Sequence, residues 1–312
     1  MGFCVTYNML YGKLKGFFLR SVLLFIVAFF FKMTPVSAQV TNIILSPTGS
    51  YCQAATVSVT FTVAGLSLIP TTTIEITDNA NTSLATLYTG TGLLNLGGGQ
   101  FSISVTIPST AAVVGTNRKF KISYSGILGS GTGNSSTFTI YATTVGGSVT
   151  AAQTICSGTA PANLSLSGQT GSVLKWQQSS TAAFTTATDI AVTAATLPGA
   201  TIGPLSATTY FRAVVQNGTC AIVNSTSVAI TVNTSPAGSL ATVITPLCKG
   251  QQVQLRFNAS QGTGPFALII NGNTYSSIAS GTAFNVNPNV TATTLFNLTK
   301  ITAANGCAIQ NP

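Results

Sequence analysis

The residues able to do chemistry in this 312-residue chain are few: six cysteines, three carboxylates and no histidine. Without imidazole, neither a Ser-His nor a Cys-His nucleophile can be assembled. Glu75 and Asp78 lie three residues apart in an extended stretch and so face opposite sides, while Asp189 is far along the chain. A glycosidase needs two carboxylates flanking one bond, and a calcium site needs several together. Asp78-Asn79-Ala80-Asn81 reads as a turn. No CxxC pair or Cys/His cluster suggests zinc, and no glycine-rich loop sits between a strand and a helix. The expectation is no catalytic residue, no metal ligand and no cofactor. What remains is thiol chemistry: cross-linking by cysteine.

Five cysteines follow the N-terminal leader, and they recur with their surroundings. Ile155-Cys156-Ser157-Gly158 opens one unit, and Asn217-Gly218-Thr219-Cys220-Ala221-Ile222 closes it. Leu247-Cys248-Lys249-Gly250 opens a second unit, closed by Asn305-Gly306-Cys307-Ala308-Ile309. Cys52 heads an earlier unit in the same way, and counting back from that unit's last strand puts Ser130 at the closing position. Matching by repeat position gives bridges Cys156–Cys220 and Cys248–Cys307, with Cys52 a free thiol. Five cysteines allow other connectivities, and spacing does not choose among them. Pairing across units would require neighbouring units to approach closely.

Residues 1–38 read as a secretory signal peptide. Lys13, Lys15 and Arg20 precede the apolar run Ser21 to Phe31, and Val36-Ser37-Ala38 supplies small residues for cleavage. Eleven residues span only about 17 Å as helix, short of the ~30 Å needed to cross a bilayer, so the mature chain is expected to have no transmembrane segment. Removing the leader leaves eight basic against three acidic residues, scattered rather than clustered, which argues against a nucleic-acid partner. Export also permits disulfides.

Alternating apolar and Ser/Thr residues then predict short strands separated by Gly and Asn clusters. In residues 39–142 the inward sets are Val57, Val59, Phe61 and Val63; Ile74 and Ile76; Phe101, Ile103, Val105 and Ile107; Phe120, Ile122 and Tyr124; Phe138 and Ile140. Lys119 and Lys121 share an outward face. In residues 143–233, Leu174 and Trp176 alternate with Lys175 and Gln177, and Phe211, Ala213 and Val215 oppose Arg212. In residues 234–312 the sets are Val253, Leu255 and Phe257; Phe266, Leu268 and Ile270; Phe284 and Val286. Trp176, Phe211 and Phe296 are expected in the cores, Trp176 as in immunoglobulin domains. The fold class is therefore all-β, tandem immunoglobulin-like β-sandwich domains after a cleaved signal peptide. The third unit stops just after Cys307-Ala308-Ile309, so it is expected to lack a last strand and to belong to a longer array.

The motifs resemble the immunoglobulin-like and PKD-like repeats of Bacteroidota secreted surface proteins of the gliding-motility-associated C-terminal domain type. In the second unit the likeness is carried by the Cys156 opening, Val173-Leu174-Lys175-Trp176-Gln177, Thr208 to Val215 and Asn217 to Cys220. In the third it is carried by Leu247 to Gly250, Gly262-Thr263-Gly264-Pro265-Phe266 and Asn305 to Cys307. In the first it rests on Tyr51-Cys52, Val57 to Val63, Ile74 to Asp78, and Ile107-Pro108 before Phe120-Lys121-Ile122, without a second cysteine. The resemblance implies type IX-type export and adhesion. The reading is a non-enzymatic extracellular or cell-surface adhesin or stalk, with surface glycans or other surface proteins as partners. The rival is an accessory spacer or carbohydrate-binding region of a secreted enzyme whose catalytic domain lies beyond residue 312. An outer-membrane barrel fits worst, because cysteine-bearing loops interrupt the strands.

Overall fold

The computed structural model describes residues 39–64, 71–126, 129–150, 152–243, 248–287 and 289–312. The leader, with its signal-peptide reading, lies outside them. Nearly all ordered elements are strands, and they build three hydrophobic cores. No helix among the described residues is long and apolar enough to cross a membrane. The chain divides into two compact units, residues 1–143 with 218–220, and residues 144–217 with 221–312.

The first sandwich contains β1 (Gln39–Ser46), β2 (Tyr51–Cys52), β3 (Thr56–Ala64), β4 (Thr71–Thr77), β5 (Ser83–Gly90), β6 (Leu94–Gly97), β7 (Gln100–Thr106), β8 (Gly115–Gly126), β9 (Gly129–Asn134) and β10 (Phe138–Tyr141). One sheet runs β1-β3-β7-β6, and the other runs β2-β10-β8-β4-β5 with β9 beside β8. The alternation is physical. Val57, Val59, Phe61 and Val63 of β3 and Ile74, Ile76, Phe120, Ile122 and Tyr124 of the facing sheet are buried between the layers, as in two sheets packed face to face. The intervening Ser and Thr residues line the outer faces, where Lys121 pairs with Glu75 at 3.7 Å and Lys119 Nζ donates to the Asn79 carbonyl at 3.4 Å. Asp78 closes its turn by accepting the Thr82 backbone N–H at 2.8 Å, which holds its carboxyl below the usual range.

The second sandwich contains β11 (Ser148–Val149), β12 (Gln153–Cys156), β13 (Leu164–Ser167), β14 (Ser172–Ser179), β15 (Thr188–Ile190), β16 (Thr196–Leu197), a one-turn helix α1 (Gly199–Ile202), β17 (Thr209–Gln216), β18 (Val223–Asn224) and β19 (Val228–Asn233). Its sheets run β11-β13-β16 and β12-β19-β17-β14-β15, with β18 beside β17. Trp176, Phe211, Ala213 and Val215 are fully buried. Leu174 does not share the Trp176 face: it is exposed, and Val173 takes the inward place. The β14–β17 register shifts between Val173 and Lys175, so one extra residue breaks the alternation there.

The third sandwich contains β20 (Ala237–Thr242), β21 (Val253–Gln261), β22 (Phe266–Ile270), β23 (Asn273–Ile278), β24 (Ala283–Val286), β25 (Leu298–Thr302) and β26 (Ala308–Gln310), in sheets β20-β21-β24 and β23-β22-β25-β26. Among the described residues it has no counterpart of the β12–β19 pair. Phe296 precedes β25 and is half-buried against the core, not enclosed in it. The expectation of a core position is corrected to a rim position, because the segment before β25 is not paired into a sheet.

One local device recurs and fixes the alignment of the first two sandwiches. Ser135 and Ser225 are both buried; each Oγ accepts a strand N–H, from Phe120 at 3.0 Å and Ala213 at 2.8 Å, and donates to the next carbonyl. Cys220 and Ser130 each lie five residues before this serine, so Ser130 does stand at the closing position. Removing the hydroxyl strands a buried N–H, at a cost of about 1–3 kcal/mol. Ser225→Ala is expected to lower the denaturation midpoint read by Trp176 fluorescence, whereas Ser135→Ala lowers the far-ultraviolet transition of the first sandwich and leaves the Trp176 signal in place.

Candidate functional site: the cysteine junctions

The three opening cysteines start the same turn. The N–H three residues on returns to the cysteine carbonyl: Ala55 to Cys52 at 3.2 Å, Thr159 to Cys156 at 3.1 Å, and Gln251 to Cys248 at 3.1 Å. The residue two on has positive φ in each case, Ala54 (63°), Gly158 (84°) and Gly250 (84°), as a type II turn requires. Its N–H donates to a distant carbonyl, Ile107, Leu205 and Val290 respectively, at 2.9 Å each time. The turns that start at Cys52, Cys156 and Cys248 thus share their backbone hydrogen bonds and their positive-φ residue.

The turns at Cys52 and Cys156 each follow a strand that has crossed from one sheet to the other. In the first two sandwiches the crossing strand pairs in parallel with the last strand. Tyr141 lies opposite Cys52, and Asn233 opposite Cys156. The next N–H continues the ladder, Gln53 to the Tyr141 carbonyl at 3.0 Å and Ser157 to the Asn233 carbonyl at 2.9 Å. The opening cysteine therefore stands where the chain leaves its sandwich. Beside Cys52, Tyr51 is buried edge-on against Phe138 with ring centroids 5.1 Å apart, and its hydroxyl donates to the Pro47 carbonyl at 2.7 Å. Burial pushes this phenol up from its ordinary pKa. Gln53 clamps the exit: its amide N donates to the Thr110 carbonyl and its amide O accepts the Thr143 N–H.

The closing cysteines stand at the other end, in the hairpin joining the strand before last to its neighbour. Cys220 lies between β17 and β18, and Cys307 between β25 and β26; both are buried. Asn305 Oδ1 accepts the Cys307 N–H at 3.0 Å and the Ala303 N–H donates to the Cys307 carbonyl at 2.8 Å, which shapes the tip.

This geometry overturns the expected pairing. The bridges are Cys52–Cys220 and Cys156–Cys307, with Cα–Cα separations of 5.4 and 5.6 Å, and Cys248 is free and exposed. Cys52, expected free, is bonded; Cys248, expected bonded, is not. The reason lies in the register. Cys156 is level with Asn233, three residues past Ile230; Ile230 is level with Thr209; Cys220 lies beyond Gln216, the far end of β17. Ten residues of strand at about 3.3 Å each separate Cys156 from Cys220 by roughly 30 Å, and a disulfide requires Cα atoms within about 7 Å. Both bridges instead join the opening cysteine of one sandwich to the closing cysteine of the next in sequence.

At the first junction Gly218, Thr219 and Cys220 form part of the first unit. Thr219 Oγ1 donates to the Ser50 carbonyl at 3.3 Å, and Cys220 Sγ rests 3.3 Å from the Ala142 carbonyl oxygen. Gly218 has φ +55°, and a Cβ there would collide with the Tyr141 ring.

Elsewhere the polar side chains serve the strands. Trp176 donates its indole N–H to the Ala194 carbonyl at 3.0 Å and is enclosed, so it offers no stacking platform. On the outer face of β14 and β17, Asp189 accepts from Lys175 Nζ at 2.6 Å and Gln177 Nε2 at 2.9 Å, bonds that hold its carboxyl below the usual range. Arg212 donates to Gln177 and lies 4.2 Å over the Phe184 ring. Among the described residues no three His, Cys, Asp or Glu side chains gather as a metal site. The junction signal visible in the sequence was the positive-φ turn after each opening cysteine, Gly158 and Gly250 above all; the role of Tyr141 had no signal in residue type.

Residues 145–234, the second sandwich, match a family model described as a domain of unknown function (DUF8696). Among curated proteins none matches the sequence. Solved structures of similar fold include a marsupial T cell receptor, at 10% identity and a TM-score of 0.37 over 88% of this chain and 98% of that one. They also include the three-domain ectodomain of mouse nectin-like molecule 4, at 10% identity and a TM-score of 0.34 over 78% and 87%. The class defined by the sheets and cores is a tandem immunoglobulin-like β-sandwich protein cross-linked at its junctions.

Two variants test the junction. Gly306 has φ +84° but open space around a would-be Cβ, so Gly306→Ala is expected to cost about 1 kcal/mol of backbone strain and to keep its bridge. Gly218→Ala adds the clash with Tyr141, and is expected to expose Cys52 and Cys220 to alkylation at a glutathione ratio that leaves the Gly306→Ala bridges closed.

Proposed function

We propose that this chain is a non-enzymatic, extracellular or cell-surface adhesin or stalk, in which immunoglobulin-like modules present their outer faces to surface glycans or other surface proteins. The observation that carries the reading is the Cys156–Cys307 bridge, which spends the chain's reactive groups on joining one sandwich to the next. Such bridges form and persist chiefly in oxidising compartments, which agrees with a leader that reads as a signal peptide. The engagement of the three carboxylates supports the non-enzymatic reading: Glu75 pairs with Lys121 and accepts from Ser83, Asp78 closes its turn, and Asp189 accepts from Lys175 and Gln177. The resemblance to Bacteroidota surface repeats supports adhesion and a gliding-motility-type setting.

Protease shaving of intact source cells tests this. The expected result is release of peptides from residues 39–312 carrying closed disulfides, and weaker attachment of cells from which the chain is deleted. Recovery of the chain only from the cytosol, with its thiols reduced, would contradict the proposal.

A further inference from the structure

The exposed thiol of Cys248 is the position that the proposed function leaves unused. Its turn repeats those of Cys52 and Cys156 in three respects: the hydrogen bond back to the cysteine carbonyl, the positive φ two residues on, and the 2.9 Å bond from that residue to a distant carbonyl. At both equivalent positions the cysteine is bonded to a buried hairpin cysteine that follows an Asn-Gly pair, in the sandwich next in sequence. Within residues 39–312 both such hairpin cysteines are taken. The third sandwich thus has an opening cysteine of the same geometry with no closing cysteine left to meet it.

We propose that Cys248 is a covalent docking site for a further immunoglobulin-like module, and that the bonded atom is the sulfur of a cysteine in an Asn-Gly-(x)-Cys hairpin of that module. The inference stands on the junction geometry and does not depend on adhesion. The reaction is thiol–disulfide exchange, with a small disulfide such as oxidised glutathione as the oxidant. The Cys248 thiolate attacks one sulfur of that disulfide and releases one small thiol. The hairpin thiolate then attacks Cys248 Sγ and releases the second. In sum, two protein thiols lose two electrons and two protons to form one S–S bond, and one small disulfide becomes two thiols. The thiolate is the attacking species in each step.

The test extends the chain after Gln310 with a second copy of residues 225–312, which supplies a last strand, a linker and another sandwich. In the copy the opening cysteine is removed (Cys248→Ser), and a mark (Ile309→Val) distinguishes its closing peptide. After oxidation in glutathione buffer, non-reducing peptide mapping is expected to find native Cys248 joined to the copied Cys307, with both native bridges retained. Native bridges retained alongside an alkylatable Cys248, or alongside a Cys248–Cys248 dimer of two chains, would overturn the proposal. If the extension disrupts the native bridges, the unextended chain decides. Its Cys248 is converted to the glutathione mixed disulfide and challenged with a peptide of sequence 214–224 or a scrambled control. At least tenfold faster exchange with the hairpin peptide is expected, and equal rates would overturn the proposal.

Discussion

The structure depends on a short parallel pairing. A strand of two to four residues leaves the first sheet, crosses the sandwich and pairs with the last strand, at Tyr51–Cys52 against β10 and at Gln153–Cys156 against β19. Parallel pairing forces both strands to end at the same pole. The cysteine that terminates the crossing strand therefore stands beside the residue from which the chain departs. An antiparallel return would have placed it at the opposite pole, near its own closing hairpin, and the bridge would have been internal.

That constraint sets the energetics of the bridges. Each closes a loop of 168 or 151 residues, and in the chain-entropy model a loop of that length constrains the unfolded chain by about 5 kcal/mol, less any strain. The restraint reaches across module boundaries, where small sandwiches ordinarily share little surface. Inside each sandwich the work falls to packing: Phe61 and Phe120, Trp176 and Phe211, Phe257 and Phe266 are buried without any disulfide between their sheets. The B-to-F bridge familiar in antibody domains is absent among the described residues, and Trp176 packs without it.

Much of this was legible in the residues. Strand faces follow directly from alternation, as in Val57 to Val63 or Val253 to Phe257, because one face of each strand must be dry. The exceptions have local causes. Leu174 points outward because a bulge resets the period within β14, and Phe296 sits at the rim because its segment joins no sheet. The connectivity was not legible from the repeat alone. Alignment shows which cysteines are equivalent, and Cys156 and Cys248 are, but equivalence is not proximity. Proximity required knowing that β12 runs parallel to β19, and a four-residue strand carries no sequence mark of direction. The candidate site was thus visible as a set of residues and invisible as a set of bonds.

Non-reducing proteolysis and mass spectrometry of the oxidised 39–312 chain test the central claim most directly. The account predicts two linked peptide pairs, one joining Cys52 to Cys220 and one joining Cys156 to Cys307, with Cys248 recovered as the alkylated thiol. Recovery of Cys156 linked to Cys220, or of Cys248 linked to Cys307, would mean that each sandwich closes on itself, and would contradict it.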